Sequence, residues 1–150
     1  MSKETTNAPS YESPFHEAIT TVSFTHNWCN DKIKQAVAPY DITSQQFNVL
    51  RILRGQHPNP STINLIKNRM LDKMSDASRI VDRLVQKDLV MKKVNNYDKR
   101  AVDILITDKG MLLLKKTDKE VNLSGILSLN LTKEEVLQLT ALLNKARGDN

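Results

Sequence analysis

A single cysteine, Cys29, stands in 150 residues, which excludes an internal disulfide. The polar start MSKETTNAPSYESP lacks the apolar core of a signal peptide, so a reducing, cytoplasmic location is expected. Long apolar runs are missing too. The longest, Met111 to Leu114, has four residues, against about 20 for a membrane-spanning helix, and no membrane partner is expected. The three histidines, His16, His26 and His57, show no zinc-like spacing, and one cysteine is too few for a structural cluster, so neither a metal nor another cofactor is expected. There is no glycine-rich phosphate loop, no pair of carboxylates in an apolar setting and no Ser/His/Asp pattern in a strand-turn-helix context. These absences argue against an enzyme. Internal repeats and low-complexity segments are also missing.

What is present is an uneven distribution of charge. The net charge is +5, but residues 67–116 hold 13 Lys and Arg against 7 Asp, a balance of +6, which leaves the remaining residues at −1. A basic middle between nearly neutral ends predicts that one module meets a polyanion while the flanks do something else. The chain length fits one domain, or one domain with helical extensions.

Local signals divide the chain further. Ser13 followed by Pro14 opens a helix that Pro39 closes. Within it Phe15, Ile19, Val22, His26, Cys29, Ile33 and Ala36 recur at spacings of four and three, the seam of a helix lying along a partner. At roughly 35 Å it is longer than a small three-helix core needs, so part of it is expected to pack on another subunit. Thr43 with Gln46 forms a capping box for a second helix carrying Phe47, Leu50 and Leu53, with Gly55 as its end. After the proline-containing loop from Gln56 to Pro60, Ser61 is placed to cap a third helix carrying Ile63, Ile66 and Met70. Asp72 or Ser75 starts a fourth, running to about Lys87, and the tight joint between the two predicts a helix-turn-helix. Leu89–Val94 and Ala101–Thr107 read as strands of a hairpin around the polar turn Asn95 to Arg100. Thr107 then caps a helix through Met111, Leu114 and Val121. A second capping box, Thr132 with Glu135, opens a last helix bearing Val136, Leu139, Leu143 and Ala146. The expected fold is mainly α with a small β-hairpin wing.

The fourth helix carries the chemistry. Met74, Ala77, Val81, Leu84 and Val85 fall on one face, and Ser75, Ser78, Arg79, Asp82 and Arg83 on the other. Hydroxyls interleaved with guanidinium groups suit a helix lying in a major groove, where Arg forks onto guanine O6 and N7. The plain alternative is a solvated face laced by ion pairs of Asp76 and Asp82 with Arg79. The hairpin favours the first reading, because Lys92 and Lys93 on one strand and Lys99 and Arg100 at the tip place cations beside this helix. Asp98 is positioned to aim the Arg100 guanidinium into a narrow minor groove.

The run from Thr43 to Gly110 resembles the MarR family of bacterial winged helix-turn-helix regulators. The resemblance lies in TSQQFNVLRIL, in DKMSDASRIVDRLVQKDLV at the recognition helix and first wing strand, and in DKR with the closing ITDKG. The flanking helices fit as well, since that family dimerises through its first and last helices. The resemblance implies a single chain, 1–150, with a helical dimerisation region at 13–38 and 108–147 and a winged helix-turn-helix DNA-binding region at 43–107. It implies a homodimeric repressor on double-stranded DNA, with a pseudo-palindromic operator whose half-sites lie roughly 34 Å apart. The candidate DNA contacts are Ser61, Thr62, Lys73, Ser75, Asp76, Ser78, Arg79, Arg83, Lys92, Lys93, Asp98, Lys99 and Arg100. Similar proteins are often released by small phenolic or aromatic acids, for which Phe24, Trp28, Tyr40 and Phe47 are the candidate pocket, with core packing as the alternative role. Packing is also the simpler role for Cys29; a redox role would draw on His26 and Lys32 nearby. The chain departs from the family pattern at Asp88, where those proteins usually carry glycine, so a left-handed turn is expected there at some cost. A winged helix that binds protein rather than DNA is the rival reading, against which the concentrated positive charge speaks.

Overall fold

The computed structural model describes residues 10–149, which form seven α-helices and one two-stranded sheet. Helix α1 runs from Pro14–Val37 with Ser13 as its N-cap and passes into a 3-10 turn at Ala38–Tyr40. Helix α2, Ser44–Gln56, opens with the expected capping box: the Thr43 hydroxyl accepts the Gln46 amide while the Gln46 side chain accepts the Thr43 amide. The helix runs through Gly55 and stops at His57, because the residue before Pro58 is driven out of the helical region.

Helix α3, Ile63–Arg69, is capped by Thr62, whose hydroxyl accepts the Leu65 amide at 3.1 Å. Ser61 does not cap it. Its backbone instead joins Ile104 through paired hydrogen bonds of 2.8 and 2.9 Å and so adds a single residue to the edge of the sheet. Helix α4, Ala77–Gln86, starts later than Asp72 or Ser75, because the Asp76 carboxylate accepts the Arg79 amide and sets the first turn. Strands β1, Val90–Val94, and β2, Val102–Ile106, pair antiparallel from Val90 opposite Ile106 to Val94 opposite Val102. Helix α5, Asp108–Glu120, is capped by Thr107. A one-turn helix α6, Gly125–Ser128, which no sequence signal marked, leads to α7, Lys133–Ala146, behind the Thr132 and Glu135 capping box. The paired hydrogen bonds of that box hold the Glu135 carboxyl below its ordinary range, the Thr132 amide being the larger cause.

Helix α2 is the centre of the core, packing against α1, α3, α4, α5 and β2. Phe47, Val49, Leu50 and Leu53 from α2 meet Ile66, Val81, Leu84, Ile104, Ile106 and Leu114. Each such side chain contributes about 1.5–3 kcal/mol by leaving water. The position of α4 is fixed through Ala77, Val81 and Leu84, so its opposite face turns outward. Only the C-terminal end of α1 joins this core, through Ile33 and Val37. Phe15 and Ile19 further back are 85% and 68% exposed, and α7 has no buried residue.

Candidate nucleic-acid interface

Along the outward face of α4 lie Ser78, Arg79, Asp82 and Arg83, all exposed. The lacing by ion pairs that is the plain alternative is not what the structure has. Asp76 bonds the Arg79 backbone rather than its guanidinium, and Asp82 pairs with Lys92 on β1. Arg79 and Arg83 make no ion pair with any described residue. Together with Ser75 and Asp76 they line a shallow depression of about 370 Å³, whose other side is formed by Thr43 and Gln45 at the start of α2. Two guanidinium groups outside any ion pair, on a helix held rigidly from behind and beside an Asp76 carboxylate that is turned to the backbone, are available to an external anion.

The wing is built by side-chain hydrogen bonds to its own backbone. The Asn95 carboxamide oxygen accepts the amides of Tyr97 and Asp98 at 2.8 and 2.9 Å, and its nitrogen donates to Asp103 at 2.9 Å. The Asp98 carboxylate accepts the Arg100 amide at 2.9 Å, not the Arg100 guanidinium. Asp98 therefore shapes the turn instead of aiming the Arg100 side chain, since a carboxylate two residues away reaches the backbone first. Lys93, Lys99 and Arg100 are exposed and without an ion pair among the described residues, whereas Lys92 is occupied by Asp82.

Three other expected contacts stand differently from Arg79, Arg83 and Arg100. Ser61 is 1% exposed, its hydroxyl has no partner, and it lies beneath the surface as part of the sheet edge. Thr62 is at the surface with its hydroxyl committed to capping α3. The Lys73 ammonium turns back onto the carbonyls of Lys67 and Asn68 at the end of α3. Met74, expected on the buried face, is 93% exposed; it precedes the Asp76 cap, so helical periodicity does not govern it. Tyr97 at the wing tip is fully exposed, a feature that sequence signals did not single out.

A cleft of about 640 Å³ separates the end of α1 from the winged part, lined by Ile33, Lys34, Ile42, Phe47, Arg51 and Met70 among others. Of the four candidate aromatics, Phe47 lines it; Phe24, Trp28 and Tyr40 do not. Phe24 is exposed on α1, and Lys32 lies 6.0 Å over the Trp28 ring. The Tyr40 hydroxyl donates to Glu120, and this bond is the main cause that pushes the phenol above its ordinary range. Cys29 is half-buried on α1 and does not line the cleft. Among the described residues no group of His, Cys, Asp and Glu could hold a metal ion.

The family model for the MarR family matches residues 42–102, from just before the α2 cap to the first residue of β2. Multiple antibiotic resistance protein MarR of Escherichia coli (strain K12) is 32% identical over 136 residues, covering 87% of this chain and 93% of that protein. The transcriptional repressor MdtR of Bacillus subtilis (strain 168) is 34% identical over 110 residues, covering 70% of this chain and 69% of the relative. A crystal structure of an Escherichia coli MarR mutant complexed with operator DNA superposes with a TM-score of 0.75 at 30% identity, covering 89% of this chain and 98% of that one. The organohalide-sensing RdhR regulator, in its 2,4-dichlorophenol-bound form, shares the fold at a TM-score of 0.81 and 18% identity, covering 96% of this chain and 87% of that one. On the match to the Escherichia coli protein over most of both chains, the chain belongs to the MarR family of DNA-binding winged-helix transcriptional regulators.

Proposed function

We propose that the protein is a homodimeric repressor that seats α4 of each subunit in successive major grooves of a pseudo-palindromic operator, with Arg100 of each wing in a flanking minor groove. The observation that carries this reading is the state of the cations. Arg79 and Arg83 on α4, and Lys93, Lys99 and Arg100 on the wing, are exposed and unpaired among the described residues, while the anions near them are spent on Lys92 and on backbone amides. A winged helix that bound a neutral protein surface would have no use for that arrangement. Ser75, Ser78, Arg79 and Arg83 supply base and phosphate contacts, and Lys93 and Lys99 supply attraction that is independent of sequence. Support for repression comes from the related protein named a repressor, and support for the docking mode from the relative complexed with operator DNA.

The cleft beside Phe47 is the proposed seat of a small aromatic effector. It joins apolar walls from Ile33, Ile42 and Met70 to charged groups of both signs, Lys34, Arg51 and Lys87 beside Asp31, Asp41 and Asp72, a mix of apolar wall and polar rim that suits a small phenol. A related regulator has been crystallised with a dichlorophenol.

A fluorescence-anisotropy titration against a random-sequence duplex and against a duplex selected from a random pool, repeated at rising salt, tests the main reading. Affinity should fall steeply, with a log–log slope of about −0.9 per phosphate neutralised, and the selected duplex should bind more tightly at every salt concentration. Flat or absent binding would refute DNA recognition.

A further inference from the structure

We propose that Met74 reads a base: its thioether packs on the 5-methyl group of a thymine in the major groove, adding an apolar contact to the Ser/Arg face of α4. The inference rests on the docking mode proposed above and goes beyond it by naming a chemical group on the operator. Methionine ordinarily sits in interiors, yet Met74 is 93% exposed, and Leu71 beside it is also largely uncovered.

Their exposure is built into the turn between α3 and α4. The Leu71 amide donates to Asn48 at 3.0 Å, the Met74 amide to the Asp72 carboxylate at 3.0 Å, and the Ser75 amide to the Asp72 carbonyl at 3.3 Å. These bonds hold Met74 outside the core, two residues ahead of the Asp76 cap. That is the N-terminal end of the recognition helix, the end whose residues approach base edges.

The neighbouring charge makes the assignment more specific. Lys73 is drawn back onto the carbonyls of α3, so what this turn offers outward is an apolar, polarisable side chain and not an ammonium group. In a groove otherwise lined by donors, acceptors and phosphates, the thymine methyl is the apolar feature a side chain can meet. An unbranched thioether adapts to such a target better than a branched aliphatic chain.

The test replaces each thymine of one half-site in turn by deoxyuridine, which removes only the methyl, and compares wild type with Met74→Ala by fluorescence anisotropy at fixed salt. The substituted side chain is exposed, and a circular-dichroism melt identical to wild type checks that the fold is kept. At one thymine the wild type should lose about fourfold in affinity, the factor carried by one buried methyl-sized group. Met74→Ala should show that loss on the unmodified duplex and no further loss at the same uracil. Equal sensitivity of both proteins at every position would overturn the assignment, as would a change in the sedimentation of Met74→Ala showing that the side chain serves contact between copies. Failure of the wild type to bind any duplex, random or selected, would overturn the DNA-binding reading itself and this inference with it.

Discussion

Two residues at the joint between α4, the hairpin and α5 show how single positions decide geometry. Asp88 adopts φ 60°, the left-handed region, after α4 has ended. Its amide donates to Val85, the Leu89 amide to Leu84, and its carbonyl accepts the Thr107 hydroxyl at 2.7 Å. The conformation is thus imposed by backbone bonds, and an L side chain there is strained. Gly110 presents the opposite case, because its need for glycine is one of space. A β-carbon there would stand 2.4 Å from the Leu89 carbonyl oxygen and 2.7 Å from Ile106. In urea denaturation Asp88→Gly should raise stability by about 0.5–1 kcal/mol by relieving the left-handed strain, while Gly110→Ala should lower it by about 1–3 kcal/mol by overpacking. A loss of stability in Asp88→Gly would mean that the carboxylate makes a contact worth more than the strain.

Among the elements, the wing is the one whose role depends most on a rigid turn. With Asn95 and Asp98 bonded to the backbone amides of Tyr97, Asp98 and Arg100, the tip holds Arg100 at a fixed distance from α4 without touching its guanidinium. Arg100→Ala should therefore cost about 1–3 kcal/mol in operator affinity with the fold intact. Asp98→Ala should cost less and should speed hydrogen exchange at the Arg100 amide, since it removes the turn's bond and not the contact. Equal losses from the two substitutions, with exchange unchanged, would restore Asp98 to the role of aiming the guanidinium. This hairpin was legible in sequence because β-branched runs flank a polar turn, and the helices opened by Thr43, Thr107 and Thr132 were legible because a cap needs only residues three apart. The turn from Met70 to Asp76 was not. There Ser75, Asp72 and Asp76 all resemble caps, and tertiary contacts such as the Leu71 amide with Asn48 choose among them. Ser61 was misplaced for the same reason, since its partner Ile104 lies on a strand far along the chain. The cleft was no more legible, because the side chains around Phe47 come from four separate segments.

For the whole molecule, the winged part closes its own interior, from Val37 to Leu114, and the helical ends are left with an apolar surface of their own. Phe15, Ile19 and Val22 on α1 and Leu137 and Leu142 on α7 are exposed; several large apolar side chains on adjoining turns form the kind of face that a second subunit covers. One clamp ties that helical part to the winged part, Arg54 on α2 forking onto Asp118 on α5, and a second, Tyr40 to Glu120, fastens the end of α1 to α5. In the proposed dimer, helix α4 of each copy is thereby set at a distance governed by how the helical ends meet. An Ile19→Glu substitution places a charge on the face without entering the core, so the thermal unfolding of the winged part should be unchanged. In sedimentation the protein should fall from twice the mass of the 17.0-kDa chain to that mass alone. Operator affinity should then drop toward that of a single half-site, because the second recognition helix is no longer held in place. A dimer that persists in Ile19→Glu would assign the interface to α7 instead, and a monomeric wild type would refute it for both helices.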